Sequence, residues 1–127
     1  MTYSLPQGAR RSRSAQAYAS IGLETQVFSA SPEHLITLLF DGAQAAIAKA
    51  RLYMENGNTE GRGMAISKAI DIVDSGLKAS IDMEAGGELA TNLTATYELI
   101  IRNLLLANLN TDLAKLNLAD RLLTEIG

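Results

Sequence analysis

The feature that most constrains this chain is the absence of proline after Pro32, combined with apolar residues that recur at helical spacing from there to Gly127. Proline breaks helix interiors because it lacks an amide hydrogen and its ring clashes with the preceding turn. Nothing beyond Pro32 is barred from helix on that account, and no strand-like alternation competes with the helical period. The sequence therefore predicts an all-α fold.

Three short segments rich in Gly, Asn or Asp divide this region. Helices commonly end at Gly or Asn and begin after Ser, Thr, Asp or Asn. Ser31 is a good N-cap, and Pro32 suits the first helical position. The predicted helices run from Ser31 to about Glu55, from Asn58 or Thr59 to about Met83, from the pair Gly86 and Gly87 to about Leu109, and from the turn Asn110, Thr111 and Asp112 to about Ile126.

Short connections between long helices favour antiparallel neighbours. The predicted architecture is therefore an antiparallel up-down four-helix bundle with a short extra N-terminal helix or flap. Residues 14–27 form that extra element, and Gly22 weakens it as a helix. We expect residues 1–13 to be a flexible arm and residues 14–127 to form one helical bundle domain.

The composition argues against several classes of function. The chain has no Cys and one His, His34, so thiolate, ordinary zinc and di-iron sites are not expected, and neither is a Ser-His catalytic pair. We predict a protein that is not an enzyme and needs no cofactor or metal. A net charge of −3 argues against nucleic acid as a partner. No apolar stretch approaches a membrane span, so we expect no membrane insertion and a cytoplasmic location.

The helices carry more apolar residues than one core-facing stripe requires. On the first helix, one stripe comprises Leu35, Leu39, Gly42, Ala46, Ala50 and Tyr53. A second stripe, displaced around the helix, comprises Ile36, Phe40, Ala43, Ile47 and Met54. The sequence does not decide which stripe is core. A wide core-facing arc explains single residues well, but a surplus on all four helices favours an exposed groove for an amphipathic helix. We take the second stripe, with Ile72 of the next helix, as the candidate groove.

Several stretches, in order and with matching gaps, resemble the FliS family of flagellar secretion chaperones. The first is the run from Ser31 to Gly42, SPEHLITLLFDG, and the fifth is the turn from Ile81 to Ala90, IDMEAGGELA. Between them lie Ala50-Arg51-Leu52, Ile66 to Ile72 and Gly76-Leu77-Lys78. Asn92, Leu93 and Tyr97 follow, and Ala17-Tyr18-Ala19 resembles the family's N-terminal tyrosine segment. One departure is Thr96-Tyr97-Glu98-Leu99, where the family often has Leu-Tyr-Asp-Tyr.

The resemblance implies a specific function. A FliS-like chaperone binds the disordered C-terminal segment of flagellin, prevents premature polymerisation and docks on a flagellar export gate protein. The N-terminal segment of the family covers part of the client groove in the free state. Tyr18 and Ile21 are the corresponding flap residues here, and the family's gate contact also involves that tyrosine.

Two other interpretations compete with this one. The first is a self-associating helical interaction module, such as a homodimer, whose surplus apolar residues form its own interface. The second is a metal- or ligand-binding bundle enzyme, which the single His and the absence of Cys argue against. A dimer that survives addition of a client would favour the first.

Overall fold

The structure is a computed structural model that describes residues 31–127, and within that range every regular element is helical. The predicted all-α class is therefore confirmed. The predictions for the arm at residues 1–13 and for the flap at residues 14–27 lie outside the described residues. The helices are α1 (Pro32–Glu55), α2 (Thr59–Asp71), α3 (Met83–Asn110) and α4 (Leu113–Ile126), and α2 continues into a π-helical segment (Ile72–Leu77) and a 3-10 turn (Lys78–Ser80).

The boundaries of α1 follow from local chemistry. The Ser31 hydroxyl accepts a hydrogen bond from the His34 amide at 3.2 Å, which satisfies one of the free donors of the first turn. At the other end Asn56 closes the last turn, and Gly57 adopts a φ of 72° that favours glycine. Both predicted boundaries of this helix are confirmed.

The junction between the second and third helices differs from the prediction. The second helix was expected to reach about Met83, but the helical backbone ends at Ser80, and Ile81 is extended with a ψ of 131°. Asp82 then caps α3, its carboxylate accepting hydrogen bonds from the Glu84 and Ala85 amides at 3.1 Å. The physical reason is that Asp is among the best N-cap residues, so a new helix starts there.

The pair Gly86 and Gly87 marks a break within α3. Gly87 has a φ of 57° and a ψ of −130°, so it separates a short first turn from the long helix that follows. The predicted start of the long helix at this pair is therefore confirmed, and the turn that Asp82 caps upstream of the break is an addition to the prediction. The remaining turn is confirmed, since Thr111 is left-handed at a φ of 50° and Asp112 caps α4.

One core joins all four helices. Its largest fully buried side chains come from the four helices and the π-helical segment: Leu39, Ile47, Ile66, Ile72, Val73, Leu77, Ile100, Leu104, Leu116 and Leu123. Ala43, Ala50, Ala69, Ala107 and Ala119 are also fully buried in this core. Small residues at these positions let the helix axes approach closely, as ridges-into-grooves packing requires.

Polar bridges show how two pairs of helices run relative to each other. Gln44 of α1 donates to Thr124 of α4 at 2.9 Å, and Arg51, farther along α1, donates to Asn117, which comes earlier in α4. The two helices are therefore antiparallel. Arg62, early in α2, contacts Asn108 late in α3, whereas Lys78, which follows α2, contacts Glu98 earlier in α3. The second and third helices are therefore antiparallel too.

Candidate partner-binding surface

The two ends of the helical array differ in chemistry. One end contains the start of α1, the residues after α2, the start of α3 and the end of α4. Six half-buried apolar side chains from these segments pack against the core there, and we call this group the apolar end: Leu35, Ile36, Phe40, Ile81, Leu93 and Ile126. A half-buried apolar cluster from four segments is the kind of surface that takes up an amphipathic partner.

Phe40 contacts both α3 and the end of α4. Its ring centroid lies 6.4 Å from that of Tyr97 on α3, with the rings tilted by 48°. A Cβ atom built on Gly127 would lie 3.2 Å from the Cδ1 atom of Phe40. The ring of Phe40 therefore lies between α3 and the end of α4. An aromatic side chain that is only partly covered presents both apolar area and a π face to a partner.

The opposite end is closed by polar groups, and we call it the capped end. It comprises the turns at residues 56–58 and 111–112 together with Arg62. The guanidinium of Arg62 donates to the Asn108 side chain at 3.1 Å and to the Thr111 hydroxyl at 2.9 Å. The Asn58 side chain accepts from the Gly61 amide at 2.9 Å. Because these hydrogen bonds satisfy the turn and cap groups locally, this end presents few unsatisfied groups to a partner.

The candidate groove predicted from the sequence does not form one continuous surface. Ala43, Ile47 and Ile72 are at most 1% exposed and belong to the core, so in this arrangement a partner has no access to them. These three residues therefore belong to a wide arc of each helix that faces the core, as the alternative interpretation of the apolar surplus expected. Ile36 and Phe40 lie half-buried at the apolar end.

Met54, the sixth predicted groove residue, is half-buried in the last turn of α1, toward the capped end. It is therefore separated from Ile36 and Phe40 by the length of the helix. Tyr18 and Ile21, the predicted flap and gate-contact residues, lie outside the described residues.

Sequence reasoning missed four residues that the structure brings to this end: Ile81, Leu93, Tyr97 and Ile126. Ile81, Leu93 and Tyr97 belong to the stretches that resemble the family, and Ile126 ends the fourth predicted helix, but none of them is predicted to share a surface. The stripes show which face of a helix is apolar, and they do not show which residues of different helices meet. Only the antiparallel order places the start of α1 beside the end of α4.

A second exposed apolar surface lies on the outer side of α3 and at the start of α4. Leu105 is 55% exposed, Leu109 is 78% exposed, and the two are one helical turn apart. Leu113 follows at 40%. This surface, which we call the outer leucines, lies near the capped end.

Electrostatic features of the described residues are modest. Lys78 pairs with Asp74 at 3.2 Å and with Glu98 at 3.5 Å, tying the end of the second helix to α3. The hydrogen bond to Asp74 raises the pKa of Lys78 above 10.5, against the opposing effect of desolvation. Between residues 31 and 127, no group of three or more metal-ligating side chains occurs and no helix is long and apolar enough to cross a membrane.

Comparison with known proteins decides the family. A family model described as flagellar protein FliS matches residues 14–127. This chain belongs to the FliS family. The family match covers the helical region together with the segment that precedes it.

Curated relatives agree with this assignment. The flagellar secretion chaperone FliS of Salmonella typhimurium is 50% identical over 111 residues, covering 87% of this chain and 82% of the relative. The protein of the same name from Escherichia coli is 43% identical and covers 90% and 84%. The flagellar secretion chaperone FliSB of Pseudomonas aeruginosa is 39% identical and covers 90% of both chains.

Proposed function

We propose that this protein is a cytoplasmic export chaperone that binds the disordered C-terminal segment of flagellin. By covering that segment it prevents premature polymerisation, and it then delivers flagellin to the flagellar type III export apparatus through contact with an export gate protein. The supporting observation is the apolar end, considered together with membership of the FliS family. On this proposal the protein acts by binding and catalyses no reaction.

The proposal includes an architecture and a flap. The four helices form an antiparallel up-down bundle, and residues 14–27 fold as a short helix over part of the client surface. The chain enters α1 at the apolar end, because Ser31 caps that helix. On this proposal the flap competes with the client for the surface around Ile36 and Phe40. Tyr18 and Ile21 are its proposed contact residues, and Tyr18 also contacts the gate.

The energetics suit a client that folds on binding. Ordering a disordered segment costs about 2–5 kcal/mol or more. Burial of apolar area contributes about 25 cal/mol per Å², so a helix laid across several half-buried apolar side chains offsets that cost. If the flap covers the site for part of the time, the apparent affinity falls by the fraction of sites that are free.

Calorimetric titration of the full chain with the C-terminal segment of flagellin from the same organism tests the proposal. We expect saturable one-to-one binding with a negative heat-capacity change, the mark of apolar burial. Ile36→Asp places a negative charge at the apolar end. The helix itself should accept an acidic residue there, because the position is close to the N-terminus of α1, where the helix dipole favours negative charge. We expect this variant to stay folded and to lose binding at least tenfold.

Leu109→Asp is the matched control, because it makes the same kind of change on the outer leucines, where the side chain is 78% exposed. It should bind the segment like the unsubstituted protein. If the unsubstituted protein shows no binding, the flagellin proposal fails. Equal losses in both variants would mean that the apolar end is not the site.

The outer leucines favour a second candidate function, self-association. Leu105 and Leu109 are exposed one helical turn apart on α3, and neighbouring exposed apolar side chains are typical of interaction surfaces. Sedimentation equilibrium of the protein and of Leu109→Asp distinguishes the candidates. A dimer that Leu109→Asp dissociates, and that persists with the flagellin segment added, would favour the self-associating module.

A further inference from the structure

The hydroxyl of Tyr97 is a buried polar group that the packing of the core does not require. The residue is 4% exposed, and the side-chain hydrogen bonds made between residues 31 and 127 include none to or from its hydroxyl. Other polar side chains of α3 do find acceptors, as when the Asn103 amide donates to the Leu99 carbonyl at 2.9 Å. Buried polar groups are almost always hydrogen-bonded, so an exception in a native core needs an explanation.

A phenylalanine at this position would supply the same ring without the polar group. The tilted contact with Phe40 depends on the ring alone, so the hydroxyl contributes nothing to that packing. Burial raises the pKa of Tyr97 above 10.0. The phenol is therefore protonated at neutral pH and retains a hydrogen to donate.

The position of the Tyr97 ring suggests that its hydroxyl can meet a bound segment. Tyr97 contacts Phe40, a half-buried residue of the apolar end, and Phe40 in turn lies beside Gly127 at the end of α4. A segment that binds at this end and displaces the Phe40 ring takes its place against Tyr97. The Tyr97 side chain then offers a hydroxyl within a group of apolar side chains.

We propose that the Tyr97 hydroxyl donates a hydrogen bond to the bound polypeptide and so fixes its register on the apolar end. This rests on the function proposed above. Its partner is a hydrogen-bond acceptor, a main-chain carbonyl or a polar side chain, within an otherwise apolar helical segment. A single polar contact in an apolar interface selects one register, because sliding the helix leaves both groups unpaired. Tyr97 is thus a specificity-determining residue in this account.

Calorimetric titration of Tyr97→Phe with the flagellin C-terminal segment tests this role. Because a neutral hydrogen bond contributes about 1 kcal/mol, we expect the affinity to fall about fivefold. We expect the variant to melt at the same temperature as the unsubstituted protein or higher, because the unpaired group is removed. Tyr53→Phe is the matched control, since Tyr53 is half-buried against Gly61 near the capped end, and its affinity should not change.

A spectroscopic readout separates hydrogen bonding from packing. When a tyrosine hydroxyl starts to donate a hydrogen bond, its near-ultraviolet absorption shifts to the red. We expect this difference signal when the segment is added to the unsubstituted protein and to Tyr53→Phe, and its loss in Tyr97→Phe. Unchanged or higher affinity in Tyr97→Phe, or an undiminished signal, would overturn the inference. Failure of the unsubstituted protein to bind the segment would instead refute the proposed function.

Discussion

The apolar end and the capped end are built from the same four helices, yet they solve the problem of ending a helix in different ways. At the capped end the chain turns within a few residues, and Asn58, Asp112 and Arg62 satisfy the backbone and side-chain groups of the two turns. At the apolar end the connection contains a π-helical segment, a 3-10 turn and a break at Gly87, and half-buried apolar side chains remain.

This difference suggests that stability and binding depend on opposite ends of the molecule. Local hydrogen bonds hold the capped end together without any partner. The apolar end keeps half-buried apolar side chains, and the π-helical turns beside it are of a kind that is frequent at functional sites. A molecule arranged in this way holds its fold at one end and leaves the other available for binding.

The largest effect is expected in the core that connects the two ends. Ile47 is fully buried, so Ile47→Asp places a carboxylate in an apolar interior and should cost more than about 4 kcal/mol, enough to unfold much of the protein. Circular dichroism during thermal melting measures this. Ile36→Asp, at the apolar end, should keep its helical signal. If Ile47→Asp stays folded but no longer binds the client, Ile47 lies in the binding groove, as the sequence predicted, and not in the core.

Each end has a glycine with positive φ, Gly57 at the capped end and Gly87 at the apolar end, so the cost of alanine can be compared between the two ends. An added Cβ meets nothing within 4 Å at Gly57 or Gly87, so only the backbone decides the cost of alanine. Gly87→Ala should cost about 3 kcal/mol, because a φ of 57° with a ψ of −130° is almost closed to other residues. Gly57→Ala should cost about 1 kcal/mol. Urea unfolding measures both, and the reverse order would contradict the assigned break in α3.

Arg62 tests whether the capped end serves stability alone. Arg62→Ala removes the hydrogen bonds to Asn108 and Thr111 and should lower the free energy of unfolding by about 1–2 kcal/mol, as measured by urea titration. Affinity for the flagellin segment should not change at a temperature where the variant is folded. Arg102→Ala, exposed on α3, controls for the loss of one positive charge. Weaker client binding in Arg62→Ala alone would assign a binding role to this end.

The smallest effect concerns alkaline pH. Because burial raises the pKa of Tyr97, the unfolded chain loses the phenolic proton first, so stability is full below pH 10.0 and falls as pH rises through the folded pKa. Tyr97→Phe should therefore lose less stability than the unsubstituted protein above pH 10.0. Urea midpoints on both sides of that pH measure the difference. Parallel curves for the two proteins would show that the phenol is not buried.

The sequence predicted the helices well where capping chemistry is local. Ser31, Asn56 with Gly57, and Asp112 act within one turn of themselves, so their roles can be read without the fold. The end of the second helix was predicted too late, at about Met83, because its apolar period continues through Ile81 although the backbone there is extended and Asp82 starts a separate turn. The surface was predicted only in part, since Ile36 and Ile47 share a stripe on α1 but differ in what packs against them.

Amide-resolved NMR titration with the flagellin segment tests most directly the claim that binding belongs to the apolar end. The account predicts that shifts concentrate at Ile36, Phe40, Leu93, Tyr97 and Ile126. The turns at residues 56–58 and 111–112 should remain unchanged. Shifts concentrated at those turns or at the outer leucines, with the apolar end unaffected, would contradict it.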